Sequence, residues 1–234
     1  MNYLSHQSEF GAKFDSLLKD LELNIKQIYN VRNQSKSSKE DNAIRLHSST
    51  IDYKSTFSCL DALLKNKITM GQIVKSYEES YAKYIGESYN VLSCNSGSSA
   101  NLLAISTLVQ SKKLKKGDKV IVPALSWSTT IFPLVQYGLI PIFCDCNDLD
   151  FNISIDNLRR LIEIHTPKAL MLIHTYGCPA DMDKICKICS SNNILLIEDT
   201  CESMGAKWDG RKVGTFGEVS TFSSYYSHHI CTLE

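Results

Sequence analysis

Apolar residues near the start of the chain recur every three or four positions, the spacing of one face of an α-helix. Within residues 8–29 this face comprises Phe10, Phe14, Leu17, Leu18, Leu21, Ile25 and Ile28. The pattern predicts an amphipathic helix. The polar stretch NQSKSSKEDN, residues 33–42, follows it and is typical of a loop or linker. We therefore assign residues 1–52 to a helical N-terminal extension with its linker.

From residue 88 onwards, short continuous apolar runs alternate with stretches of helical spacing. The runs predict strands in YNVLSC, KVIVPALSW, IPIFCD, ALMLIHT and ILLIED. The stretches between the runs predict helices in SSANLLAISTLVQ, TTIFPLVQYG, SIDNLRRLIEI and ADMDKICKICSS. A further helix is predicted before the first run, in GQIVKSYEESYAKYIG at residues 71–86. Buried strands that alternate with helices indicate an α/β domain whose mostly parallel sheet is covered on both faces.

Composition and charge exclude several classes of protein. The 234 residues are 43% hydrophobic, and 25 basic residues balance 25 acidic ones. No basic block predicts a nucleic-acid partner. No apolar run approaches the roughly 20 residues that span a bilayer. The first residues, MNYLSHQSEF, lack the pattern of a signal peptide, so we expect a cytoplasmic protein.

Nine cysteines are scattered through the chain, and this odd number argues against a disulfide framework. Cys186 and Cys189 form a CxxC pair within a stretch of helical spacing. No second pair follows at the spacing of a zinc site. We interpret the two cysteines as a half-buried helical pair and predict no metal there.

Ligands of parallel sheets bind at the carboxyl ends of the strands, so the residues that follow each apolar run are the candidate site. After YNVLSC comes the small, hydroxyl-rich segment 95–100, which includes Gly97 and Ser98 and opens a helix. Free backbone N–H groups and the helix dipole make such a segment suitable for a phosphate. The alternative is an ordinary helix N-cap.

Other strand ends carry an aromatic ring and two acids. Trp127 follows KVIVPALS and either covers a flat ring or fills core. Glu198 and Asp199 follow ILLI. A carboxylate at the end of a buried strand is costly unless it is paired or functional, and one use is to hold the proton on a heteroaromatic nitrogen. The alternative is an acid that caps a helix or forms a salt bridge.

The segment STFSSYYSHHICTLE, residues 220–234, adds a hydroxyl at Ser223 and adjacent imidazoles at His228 and His229. A lone histidine is most often structural, but it also suits acid–base chemistry near neutral pH. An anion cradle, a flat cover, an acid for a ring nitrogen and an acid–base group together describe a pocket for pyridoxal or pyridoxamine phosphate.

Six ordered motifs resemble those of the DegT/DnrJ/EryC1/StrS family of nucleotide-sugar aminotransferases. They are SGSSANLLA, VPALSWSTT, HTYGCPADM, IEDTCESMGAKWDG, VGTFGEVSTFS and HHICTLE, and they lie within about residues 70–234. The resemblance implies the aspartate-aminotransferase type fold, that is, fold type I of pyridoxal-phosphate proteins. It implies that residues 53–234 are its cofactor-binding large domain.

The resemblance assigns cofactor-binding roles residue by residue. Gly97 and Ser98 would hold the phosphate, with Ser223 adding a second hydroxyl. Trp127 would stack on the pyridine ring, and Asp199 would pair with the protonated ring nitrogen. The cofactor is then pyridoxamine 5′-phosphate or pyridoxal 5′-phosphate.

His228 stands where most members have the lysine that binds the cofactor covalently. An imidazole forms no stable imine, so the resemblance narrows to the 3-dehydratase branch, with His228 as the acid–base residue. That branch removes the C3 hydroxyl of GDP- or CDP-linked 4-keto-6-deoxyhexoses for deoxysugar and O-antigen synthesis. The alternatives are a nucleotide-sugar 4-aminotransferase that tolerates histidine, and an inactive truncated remnant.

Regeneration of the cofactor divides the branch. Some members use glutamate, and others use an iron–sulfur cluster with a partner reductase. Cys201 matches a cysteine of the cluster-bearing members, whereas the tryptophan in LSW favours the glutamate-using ones. Family chains are far longer, so we expect this chain to be a truncated form that lacks the small C-terminal domain, and a homodimer when full length.

Overall fold

A computed structural model of the chain describes residues 2–36, 51–86 and 89–232. The chain divides into two compact units, residues 1–77 and 78–234. In the part of the chain that the structure describes, no helix combines the length and the apolar character needed to cross a membrane.

The first unit contains helix α1 (Asn2–Lys36) and helix α2 (Tyr53–Leu64), which pack against each other. Leu18 and Ile25 of α1 are buried, and the Tyr29 hydroxyl lies 2.7 Å from Thr56 Oγ1. Asp52 caps α2 by accepting a hydrogen bond from the Ser55 N–H. The predicted N-terminal helix is therefore confirmed, whereas α2 was not predicted.

The linker prediction needs one correction. Residues 33–36, predicted as loop, continue α1, because Gln and Lys are good helix formers and polarity alone does not end a helix. The rest of NQSKSSKEDN, residues 37–42, lies outside the described residues.

Helix α3 (Gln72–Ile85) leads into the second unit, which is built from alternating strands and helices. Its further elements are α4 (Gly97–Gln110), β1 (Lys119–Pro123), α5 (Ser128–Gln136), β2 (Ile140–Cys144), α6 (Ile155–His165), β3 (Ala169–Ile173), α7 (Met182–Ser191), β4 (Leu195–Asp199), β5 (Lys207–Trp208), β6 (Arg211–Lys212) and β7 (Val219–Thr221). A short 3-10 turn, Thr175–Gly177, follows β3.

Five strands form one parallel sheet in the order β2-β1-β3-β4-β7, and β5 and β6 form a separate antiparallel hairpin. The predicted parallel sheet is confirmed. The predicted strand YNVLSC is wrong, because no strand pairs with residues 89–94 in the described part of the chain. The Ser93 N–H donates instead to Glu78 Oε1, at 2.7 Å.

Two hydrophobic cores cover the two faces of the sheet. Alternate strand residues point to opposite faces. Val120, Met171 and Ile197 lie in the core that α4 and α5 cover. Ile121, Leu170 and Leu196 lie in the core that α6 and α7 cover. This alternation explains why the strands read as continuous apolar runs in the sequence.

Candidate functional site

Asp199 ends β4 at the carboxyl edge of the sheet, and it is almost fully buried. Its Oδ2 accepts hydrogen bonds from Asn101 Nδ2 at 2.8 Å and from Thr130 Oγ1 at 2.9 Å. Its Oδ1 accepts a longer one, 3.2 Å, from the Cys201 N–H. A buried carboxylate is stable only with such donors, and here Oδ1 keeps capacity for one more.

The N-terminus of α4 lies beside this carboxylate. Ser96 is the N-cap, and its hydroxyl accepts from the Ser99 N–H at 3.1 Å. The N–H groups of Gly97 and Ser98 have no acceptor among the described residues. A Cβ on Gly97 would lie 2.9 Å from Ser223 Cβ, so Ser223 closes the other side. The three predicted phosphate ligands are thus brought together at one helix N-terminus, where an anion is favoured.

The close approach of Gly97 to Ser223 predicts a stability effect. Gly97→Ala is expected to lower the free energy of unfolding by about 1–3 kcal/mol, because the added methyl overpacks a contact that is already tight. Gly11→Ala is the matched control, since nothing lies within 4 Å of its Cβ position in α1. The control is expected to stabilise by about 0.5–1 kcal/mol. Urea unfolding of both variants checks this, and equal effects would contradict the packing argument.

Trp127 is the N-cap of α5, and its side chain is 73% exposed. It is held near Asp199 through the first turn of α5, where the Thr130 N–H donates to the Trp127 carbonyl at 3.0 Å. A large exposed indole at a strand end fills no core, so the core interpretation is not supported. The ring is available to cover a flat ligand.

His228 lies in the turn after β7 and is half-buried. Its N–H donates to the Tyr225 carbonyl, and the two rings meet edge to face at 5.8 Å. Burial lowers the pKa of His228 below its usual 6.5, and His229 adds to the effect, although the carboxylates of Glu202 and Asp199 oppose it. The imidazole is therefore neutral at neutral pH and able to accept a proton.

Glu198, the neighbour of Asp199, points to the other face of the sheet and is fully buried. Its Oε1 accepts from the N–H groups of Phe216 and Gly217, at 2.7 and 2.6 Å. Its Oε2 accepts from the Gly214 N–H at 2.8 Å and lies 3.2 Å from His174 Nε2. This acid holds the turn before β7 in place.

The tautomer of His174 follows from its second partner. Its Nδ1 lies 3.1 Å from the Ala180 N–H and must accept, so Nε2 carries the proton and donates to Glu198. Burial alone would raise the pKa of Glu198, but the hydrogen bonds from His174, Gly214 and Gly217 outweigh it and lower that pKa.

Sequence reasoning missed the polar residues that surround Asp199. Asn101 occupies a core-facing position of α4, one turn before the buried Ile105. A polar residue at an apolar position of the helical pattern is the signal that could have found it. Thr130 and Thr221, which are also buried, carry no comparable signal, because threonine is common in strands and helix starts.

The cysteines show no metal-binding arrangement. No group of three or more His, Cys, Asp or Glu side chains among the described residues is placed to hold a metal ion. Burial raises the pKa of the Cys201 thiol, and the carboxylates of Asp199 and Glu202 raise it further. Cys186 is half-buried and Cys189 is buried in α7, and burial raises the pKa of Cys189 to about 12. These thiols are protonated at neutral pH.

A model of the DegT/DnrJ/EryC1/StrS aminotransferase family matches residues 50–234. The chain belongs to this family. Over 191 residues it is 47% identical to GDP-4-keto-6-deoxy-D-mannose 3-dehydratase of Yersinia pseudotuberculosis, which covers 81% of this chain and 48% of the relative. The chain spans about half the length of the curated relatives it matches.

Solved structures of GDP-4-keto-6-deoxymannose-3-dehydratase have the same fold as this chain. GDP-4-keto-6-deoxy-D-mannose-3-dehydratase of Escherichia coli with bound hydrated PLP aligns with a TM-score of 0.76 at 44% identity, over 82% of this chain and 49% of that one. The same enzyme type with a trapped PLP-glutamate geminal diamine aligns with a TM-score of 0.76 at 43% identity, over 82% and 50%. The predicted type I fold is thereby confirmed.

Proposed function

We propose that this DegT-family chain serves the 3-dehydration of a nucleotide-linked 4-keto-6-deoxyhexose, with pyridoxamine phosphate as cofactor. The observation that carries the proposal is His228, an imidazole at the position where the family pattern has lysine. The carboxylates of Glu202 and Asp199 are close enough to His228 to influence its pKa. Its relatives at 47% identity are named GDP-4-keto-6-deoxy-D-mannose 3-dehydratases, which favours this reaction over the 4-aminotransferase and remnant alternatives.

The residues at the sheet edge fit the cofactor. The free N–H groups of Gly97 and Ser98 and the hydroxyl of Ser223 would hold the phosphate. A side chain at Gly97 would close this cradle, which explains glycine there. Asp199 Oδ1 would accept the ring N–H, and Trp127 would cover the ring face. When bound, the cofactor supplies an amine for the C4 ketone and an electron-accepting ring.

His228 would move the proton that this chemistry requires. It has no primary amine, so it leaves the cofactor non-covalently held. Its lowered pKa makes it a base at neutral pH, able to take a proton from C4′ of the cofactor and return one when the C3 hydroxyl leaves as water.

The sugar nucleotide and the assembly are further parts of the proposal. We propose a GDP-linked hexose, because relatives at 47% identity carry that name. We propose glutamate as amino donor rather than an iron–sulfur cluster at Cys201, because one related structure holds a PLP-glutamate geminal diamine. We also propose a large domain over residues 53–234, a homodimer and a cytoplasmic location, and size-exclusion chromatography with light scattering tests the dimer.

Cofactor trapping tests the proposal. The purified chain is mixed with pyridoxal phosphate or with pyridoxamine phosphate, reduced with borohydride and mapped by mass spectrometry. We expect retained pyridoxamine phosphate and no covalent adduct in residues 220–234, which contain no lysine. His228→Lys is the matched control, because it restores a primary amine at that position and is expected to give an adduct with pyridoxal phosphate.

Two results would contradict the proposal. An adduct on another lysine of the unsubstituted chain would restore the aminotransferase alternative. Absence of an adduct in His228→Lys, with pyridoxal phosphate bound, would show that residue 228 does not reach the cofactor. Conversion of the GDP-linked 4-ketone to its GDP-linked 3-deoxy product in the presence of glutamate completes the test.

A further inference from the structure

A chain of hydrogen bonds fixes Asp199 across α4, α5, β4 and β7. We propose that Asn101 and Thr130 are positioning residues that hold Asp199 with one carboxylate oxygen aimed at the cofactor ring. The proposal rests on the proposed function, because it takes Asp199 as the partner of the ring nitrogen. Asn101, Thr130 and Thr221 are all at most 4% exposed, so water does not compete for these bonds.

The partners of Asn101 decide how its amide is oriented. Its Nδ2 lies 2.8 Å from Asp199 Oδ2 and 3.3 Å from the Thr129 carbonyl oxygen. A carboxylate and a carbonyl only accept, so the amide NH₂ faces both of them. The amide oxygen therefore faces Thr221 Oγ1 at 2.6 Å, and the Thr221 hydroxyl donates. Every bond in the chain then has a single direction, ending on Asp199.

The result is an asymmetric carboxylate. Oδ2 accepts from both Asn101 and Thr130, which occupies its two lone-pair positions. Oδ1 accepts from the Cys201 N–H at the longer distance of 3.2 Å, and the weakly donating Cys201 thiol also contacts this carboxylate. A new donor, such as a ring N–H, therefore binds at Oδ1. Loss of one donor to Oδ2 would free that oxygen and let the carboxylate turn.

The same bonds connect the other parts of the site. Asn101 lies on α4, one turn after Gly97, and Thr130 lies in the first turn of α5, whose N-cap is Trp127. Asp199 thus anchors both helices whose N-termini would hold the phosphate and cover the ring. Binding geometry that is set before the ligand arrives lowers the cost of binding it.

Paired variants at position 130 test the inference. Thr130→Val removes the hydroxyl and keeps the shape, whereas Thr130→Ser keeps the hydroxyl. Pyridoxamine phosphate affinity is measured by equilibrium titration, and protonation of its ring nitrogen is followed by absorbance against pH. Thr130→Val is expected to weaken binding about tenfold, as for one hydrogen bond to a charged group. In Thr130→Val, the pKa of the bound cofactor's ring nitrogen should move towards the value of the free cofactor. In Thr130→Ser, both the affinity and this pKa should match those of the unsubstituted chain.

Asn101→Leu is expected to weaken cofactor binding more than Thr130→Val, because it removes one donor to Asp199 and also the acceptor of the Thr221 hydroxyl. If this variant does not fold, the position 130 pair decides the question alone. Unchanged affinity and ring titration in Thr130→Val would overturn the inference, and so would equal losses in the Val and Ser variants. Failure of the proposed function would give a different result. The cofactor would still bind, and its ring nitrogen would respond to the variants as described, but no sugar would be dehydrated.

Discussion

His228→Asn is expected to lower the turnover of sugar dehydration by about 10²–10⁴-fold, the usual contribution of a general acid–base group. Asparagine keeps a polar side chain of similar size but cannot accept and return a proton. The half-buried His228 contacts the ring of Tyr225, and the phosphate is proposed to bind at Gly97, Ser98 and Ser223, so cofactor affinity should change little. Steady-state kinetics with the GDP-linked ketone and equilibrium binding of pyridoxamine phosphate separate the two effects.

The control for this loss is the same substitution at a distant histidine. His165 lies in the last turn of α6, where the chain returns to the amino ends of the strands, so it is at the opposite edge of the sheet. His165→Asn should retain full turnover. Normal turnover by His228→Asn would remove this residue from the reaction, and equal losses in both variants would indicate a general effect on folding.

Glu198→Gln is expected to lower the free energy of unfolding at pH 7 by about 2–6 kcal/mol, roughly 1–3 kcal/mol for each buried donor left without an acceptor. Four donors face this carboxylate, two on each oxygen. A glutamine amide turns its NH₂ towards one pair of donors whichever way it is placed. Two buried N–H groups therefore lose their acceptor, which is costly in a dry environment. Urea unfolding followed by circular dichroism measures the loss.

The effect of Glu198→Gln should depend on pH in a defined direction. The pKa of Glu198 is lowered in the folded chain relative to its usual 4.5. Its contribution to stability is therefore full above pH 4.5 and is lost as the pH falls through the folded-state pKa. The difference between the two proteins should accordingly be full at pH 7 and shrink on acidification below pH 4.5.

Glu218→Gln is the matched control, because Glu218 pairs with Lys113 at the surface and both side chains are more than 40% exposed. An exposed pair contributes about 0–1 kcal/mol, so this variant should be nearly as stable as the unsubstituted chain. A small effect of Glu198→Gln, or one that grows in acid, would show that Glu198 does not anchor the turn as an ionised group.

Periodicity predicted most of the second unit but failed where pairing depends on distant partners. The strands at β1, β3 and β4 were predictable because each buries both faces and so reads as a continuous apolar run. The edge strand β2 is also an apolar run, although Ile140 and Phe143 are exposed. Residues 89–94, YNVLSC, were also predicted as a strand, but no strand lies beside them in the described chain. Helix α2 was not predicted, and most of its apolar residues are only partly buried.

The residues of the candidate site could be proposed from the sequence, because they stand directly after apolar runs or match family motifs. Gly97, Ser98, Trp127, Asp199 and Ser223 do lie near the carboxyl edge of the sheet. Asn101 and Thr130 were not predictable as hydrogen-bond partners of Asp199. They precede Asp199 in the sequence by 98 and 69 positions, and only the packing of α4 and α5 on the sheet brings them close to it.

By itself, the sequence determined a parallel-sheet domain of the DegT/DnrJ/EryC1/StrS family and offered two adjacent acids, Glu198 and Asp199, at the end of one strand. Only the tertiary structure decided which acid faces which side. Neighbouring strand residues point to opposite faces, but the strand alone does not say which face meets which helices. Ile197 packs against α4 and α5, so Asp199, on the same face of β4, points towards Asn101. Glu198 points to the opposite face, where it bonds to His174.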